Sequence, residues 1–149
     1  MRKQFFRSFI MAGLLITAAA GSALAQAPEK VVVDIPFNFI VGDKTLAAGE
    51  YSVKNISTGR TQALLIRSAD GRSAHIALTN PVQSGSVRKE ARLVFKQYGD
   101  RYFLSQVWSP GADVGRVLPK TRLQREAESE EARAANAEPP TIILTGRQR

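Results

Sequence analysis

Along residues 31–41 apolar and polar side chains alternate. Val33, Ile35, Phe37, Phe39 and Val41 fall on one face, and Asp34, Pro36 and Asn38 on the other. A period of two is that of a half-buried strand. Pro36 has no N–H to give to a ladder, so this strand is expected to lie at an edge or to bend there. Gly42-Asp43-Lys44 breaks the pattern, and Gly49 leads into residues 50–56, where Tyr51 and Val53 share a face. The next strand, Ala63–Ser68, carries Leu64, Leu65 and Ile66 together. Asp70-Gly71 follows as a two-residue hairpin signal. The chain then returns through residues 73–79, with Ala74, Ile76 and Leu78 expected to point inward.

Residues 80–87 read as a loop, with Asn80-Pro81 as a turn signal. A second hairpin joins residues 92–97 to Arg101–Trp108 through Tyr98-Gly99-Asp100. Leu93 with Phe95, and Phe103 with Ser105 and Val107, form its alternating sets. Ser109-Pro110-Gly111 closes this region. Beyond Pro119 the pattern changes to a charged, alanine-rich stretch whose only apolar stripe is Leu123 and Ala127. Arg122 and Glu126, four residues apart, support a helix there. After Pro139-Pro140, residues 141–145 are too β-branched and apolar for a solvated tail and are expected to rejoin the sheet. The fold class is therefore all-β: a single sandwich or small barrel of about seven short antiparallel strands, with a C-terminal surface helix before a last strand.

The ends of the chain add a destination. Arg2, Lys3 and Arg7 form a positive segment, an apolar run follows, and Ala23-Leu24-Ala25 supplies small residues at a cleavage position. Residues 1–25 are thus expected to be a signal peptide, since the apolar run is shorter than the ~20 residues of a spanning helix. Export to the periplasm or outside the cell follows, with no later membrane span. The expected organisation is a β-domain over 26–118, a charged helix or arm over 119–140, and a final strand and tail over 141–149. There is no cysteine, which excludes disulfides, thiolate chemistry and cysteine metal sites. Loss of the three basic residues in the targeting segment takes the formal net charge from +8 to +5. The remaining basic residues are dispersed among acids, without the basic stripe and stacking aromatics of a nucleic-acid reader.

Little in the chain resembles catalysis. Gly42-Asp43-Lys44-Thr45 is close to a phosphate loop, but Asp43 separates the glycine from the lysine and strands flank both sides. It is better read as a turn. His75 is the single histidine, and alternation places it opposite Ile76 and Leu78. Asp70, Asp100 and Asp113 sit singly in turns, so no metal site and no cofactor is expected. No nucleophile elbow is present, and Asp34, Glu50, Asp70, Glu90 and Asp100 lie where capping and solubility explain them. No enzymatic activity is expected. Of the strand aromatics, Tyr98, Tyr102 and Trp108 are the candidates for contact with a partner chain or a sugar if exposed.

"IPFNFIVGDKTLAAGEYSV", "LLIRSADG", "LTNPV", "LVFKQYGDRYFLSQVW" and "GRVLPKTRLQRE" together resemble an uncharacterised family of small exported bacterial proteins. Its pattern is a signal peptide, Pro-Phe-x-Phe-x-Val-Gly, Leu-Pro-Ala-Gly-x-Tyr, a Tyr-Gly-Asp hairpin and a Leu-Pro-x-Ser/Thr segment. Ala47 stands where that family has proline. The resemblance implies shared architecture and transfers no catalytic residue. The reading that follows is an exported, non-enzymatic envelope module, binding or structural, whose partner is an envelope protein or glycan. Its expected working surfaces are an edge strand or the groove beside the helix. A carrier or sensor of a small apolar or carbohydrate ligand is the alternative, and a carboxylate-dependent hydrolase the weaker one.

Overall fold

A computed structural model describes residues 30–134 and 139–148. The expected targeting segment and the end of the charged arm lie outside the described residues. The alternation at 31–41 gives two strands, β1 (Lys30–Ile35) and β2 (Phe39–Val41), divided at Pro36. β2 turns back into β3 (Lys44–Leu46), and β4 (Gly49–Asn55), β5 (Ala63–Ser68) and β6 (Ala74–Leu78) follow as a meander. Then come β7 (Asn80–Gln83), β8 (Ala91–Tyr98), β9 (Arg101–Trp108), β10 (Val114–Val117), α1 (Arg122–Ala134) and β11 (Thr141–Gln148).

These strands form one sheet in the order β3-β2-β9-β8-β11-β1-β4-β5-β6, with β10 pairing both β9 and β7. All pairings are antiparallel except β2 with β9. The molecule is all-β, a sheet curled into a half-barrel with one helix before the last strand. It has eleven strands among the described residues, against about seven expected. The additional ones are β2, split from β1 at Pro36, and β3, β7 and β10, all short strands in segments that read as turns. Pro36 also marks a change of neighbours: β1 lies between β11 and β4, whereas β2 lies between β9 and β3.

The concave face holds the main core. Val31, Val33, Ile35, Phe39, Val41, Tyr51, Val53, Leu64, Ile66, Leu93 and Phe95 are all buried there. Phe39 stands edge-on to both Tyr51 and Phe95, at centroid distances of 5.0 and 5.7 Å. The β11 strand returns as expected, inserting between β8 and β1 with Ile142 and Leu144 packed on this core.

A second cluster lies on the opposite, convex face. The register of β8 against β9 shifts between Val94 and Phe95, whose partners are Gln106 and Leu104. Ser105 is the extra residue, and a bulge of this kind re-aims the side chains on either side of it. Leu104 consequently enters the main core, while Phe103 points to the convex face with Ile40 and Tyr98. Ala127, only 1% exposed, and Leu123 of α1 cover these three residues. The thin apolar stripe of the helix is sufficient because its target is small.

Candidate functional site: an open edge and the groove beneath it

The two ends of the sheet, β3 and β6, do not pair with each other. Between them lies a groove of about 460 Å³. One wall is the β2–β3 turn, Gly42, Asp43 and Lys44. The other is β6, and the floor at one end is Leu118 and Pro119, with Thr121 beyond. Gly42 has φ 61°, which a residue with a Cβ adopts at a cost. A Cβ there would lie 3.6 Å from the Nε2 of His75.

The turn is fixed by the helix. The Thr121 hydroxyl donates to the Gly42 carbonyl (3.3 Å) and accepts the Gln124 N–H (3.3 Å), while Arg125 N–H donates to the Thr121 carbonyl (3.1 Å). Thr121 is therefore the N-cap of α1. Lys120 beside it is ion-paired to Glu128 at 2.7 Å, and the hydrogen bond from Lys120 to that carboxylate raises the lysine pKa above its ordinary value. The segment that resembles a phosphate loop is thus a strand turn whose glycine carbonyl anchors a helix cap.

β6 runs opposite to the expected orientation. Ile76 and Leu78 are 58% and 64% exposed on the convex face, whereas Ala77 is buried and His75 half-buried on the concave one. The cause is the hairpin register. Leu65 pairs with Ile76 and Leu64 with Ala77, and Leu64 and Ile66 are committed to the core. Strand partners share a face, so His75 and Ala77 go inward and Ile76 outward.

The same register identifies the free backbone groups. Ser68 N–H donates to Ser73 O (2.9 Å), and Thr79 N–H to Gln62 O (2.8 Å). In an antiparallel ladder every second residue bonds to a given neighbour. Residues 73, 75, 77 and 79 therefore face β5. Ala74, Ile76 and Leu78 turn their N–H and C=O groups away from it, where β6 has no neighbour among the described residues.

Other edges are blunted. β3 has three residues and begins with Lys44. β7 carries Pro81. β6 has five residues, no formal charge and no proline, which are the properties of an edge that templates pairing.

The aromatics singled out from the sequence lie elsewhere. Tyr98 (2% exposed) is under α1, and Trp108 (4%) is enclosed, its indole N–H donating to Gln106 Oε1 at 3.0 Å and the Arg88 guanidinium 4.5 Å above its ring. Gly115 lies against that ring so closely that a Cβ would come within 2.5 Å of it. Neither side chain presents a ring to solvent, which corrects the exposure allowed for them. Tyr102 is partly buried against the main core and stacks on Phe37 at 4.2 Å. The three do not converge on one site.

Among the described residues, no group of three His, Asp or Glu side chains could hold a metal ion. Asp70 is held below the ordinary carboxylate value, chiefly by the Ser68 hydroxyl donating to it at 2.6 Å and next by the Arg72 N–H. That is the reverse of what a general acid requires. No helix among the described residues is long and apolar enough to cross a membrane. Comparison of the chain with protein-family models, with curated proteins and with solved structures gives no match to any of them.

Proposed function

We propose that this chain is an exported, non-enzymatic binding module of the cell envelope. In this reading it receives an extended segment of a partner polypeptide as an additional strand beside β6. The observation that carries it is the uncovered edge of β6, with exposed Ile76 and Leu78 and outward peptide groups at residues 74, 76 and 78. Strand addition draws affinity from main-chain hydrogen bonds and specificity from alternate side chains. Those of an added strand would fall in turn beside Ile76 and Leu78 and into the groove over Leu118 and Pro119. The targeting segment and the resemblance to exported bacterial proteins support the location.

A carrier needs an enclosed apolar chamber with few polar groups, and this groove opens to solvent along β6. A hydrolase needs two convergent carboxylates, at least one of them desolvated. Among the described residues, the only carboxylate bordering the groove is Asp43, which is exposed.

The test is native mass spectrometry of the protein isolated from the cells that make it, alongside an Ile76→Pro variant. Proline there removes an outward N–H and leaves the β5 ladder intact. A polypeptide partner retained by the wild type and lost from the variant supports strand addition. A co-purifying small molecule instead of a polypeptide would overturn it in favour of the carrier.

A further inference from the structure

The convex face of the sheet carries a second feature, which meets the β6 edge at Ile76 and Leu78. Helix α1 covers this face only over β2, β8 and β9, where Ile40, Tyr98 and Phe103 lie. From β11 across β1, β4 and β5 to β6 no element of the described chain lies on it. Registers place Lys30 opposite Lys54, Lys54 opposite Leu65, and Leu65 opposite Ile76, one row across four strands. A neighbouring row runs Arg147, Val32, Ser52, Arg67 and Ala74. Arg92 and Lys96 continue the same face onto β8, on either side of Val94, whose partner on β11 is Ile143.

Six basic side chains thus share one face. Among the described residues none of them forms an ion pair; the four pairs present involve Arg72, Arg101, Lys120 and Arg122. Among the described strand residues, the acids on the part of the face that α1 leaves uncovered are Asp34 and Glu50, which stand opposite each other at one end. Like charges directly across a strand pair, as at Lys30 and Lys54, are destabilising within the fold. The aliphatic side chains Ile143, Ile76 and Leu78, each more than half exposed, lie among the cations or along the β6 margin.

We infer that this face docks on the surface of a lipid bilayer carrying anionic headgroups. Charge complementarity selects an anionic partner. The interleaved aliphatics select a bilayer over a fully polar polyanion, because the interface accepts both branched apolar side chains and cations on flexible stems. A single-stranded nucleic acid would require aromatic platforms. Of the aromatics on this face, Tyr98 and Phe103 are buried beneath α1, and Trp108 is enclosed between Gly115 of the adjoining strand and the Arg88 guanidinium. Docking of this kind is peripheral, with the sheet lying on the headgroups and no strand entering the hydrocarbon.

The experiment is flotation of the purified protein with phosphatidylglycerol-rich and with pure phosphatidylcholine vesicles, at low and at physiological salt. Binding to the anionic vesicles alone, weakening as salt rises, is expected. Each basic residue near an anionic surface contributes about a fivefold change in partitioning. Lys54→Gln with Arg67→Gln should therefore weaken binding about 25-fold by the same contribution, while Arg122→Gln on the helix leaves it unchanged. Because both residues of the double variant are on the surface, its circular dichroism should match the wild type. If it does not fold, the salt titration of the wild type decides. Lys54→Gln with Arg67→Gln leaves the outward groups of β6 untouched and should retain any polypeptide captured there, so the two surfaces fail separately. Equal binding to both vesicle types, binding to soluble poly-glutamate but not to vesicles, or the same loss from Arg122→Gln would overturn the inference.

Discussion

The convex face of the sheet is built in two ways. Over β2, β8 and β9 it is apolar, with Ile40, Tyr98 and Phe103 buried under Leu123 and Ala127 of α1. Over β1, β4, β5 and β6 it is basic and aliphatic, and bare among the described residues. The covered end shows how little a helix needs to dock: one aromatic ring re-aimed by a bulge, and an alanine small enough to approach it. The bare end has exposed aliphatics of similar size without such a lid.

Substitutions should separate the two ends sharply. Phe103→Ala empties a fully buried position under the helix and should cost about 3–5 kcal/mol, read by urea denaturation. A loss below about 1 kcal/mol would mean that the helix is not docked on it. Ala127→Glu puts an unpaired carboxylate at the same contact and should cost about 1–3 kcal/mol. It should also open α1 to proteolysis while the sheet stays folded.

At the bare end, the backbone rather than the side chain decides the cost. Ala77→Pro removes an N–H that bonds β5 and leaves its acceptor unmatched, for about 1–3 kcal/mol. Ile76→Pro removes an outward N–H and should be markedly milder. Equal costs would contradict the register. Ile76→Ser and Leu78→Ser should change stability by no more than about 0.5 kcal/mol, and both should weaken capture of the partner strand.

The smallest effect expected is on acid stability. Hydrogen bonds from the Ser68 hydroxyl and the Arg72 N–H hold Asp70 below its ordinary value, so the folded state favours the carboxylate. That contribution is present above the unfolded pKa and is lost as pH falls through the lower folded pKa. Ser68→Ala should therefore lower Tm slightly near neutrality and reduce its fall on the acid side of the titration. Because Asp70 is a solvent-exposed side chain, a large change in either would point to another group.

Much of this architecture was legible in the residues. Alternation located β1, β4 and β8, the apolar run Leu64–Ile66 located β5, and the β-branched run at 141–145 located β11. β9 was located by its hairpin, but the bulge at Ser105 puts Phe103 and Val107 on opposite faces and not on the single face alternation gave them. Leu123 and Ala127 marked the docking stripe of the helix. Pro36 signalled the change of neighbours without revealing them, because strand order depends on contacts distant in sequence. β10 and β7 were hidden in turn-rich segments whose pairing comes from each other.

The orientation of β6 was misjudged for a different reason. Ile76 and Leu78 look like core residues by type. Yet a two-residue turn at Asp70-Gly71 already pairs Leu64 with Ala77 and Leu65 with Ile76. With Leu64 inside, counting register would have put Ile76 outside. The site was readable from geometry and obscured by hydrophobicity. Tyr98 and Trp108 show the converse, since their burial depends on α1 and Gly115, which no local pattern connects to them.

The most direct test of the open edge is residue-resolved amide hydrogen exchange on the isolated protein. The amides of His75 and Ala77, bonded to β5, should exchange slowly, while those of Ile76 and Leu78, directed away from it, should exchange at rates near those of an exposed loop. Slow exchange at all four positions would mean that the edge of β6 is already covered, and the binding surface proposed for this chain would not exist.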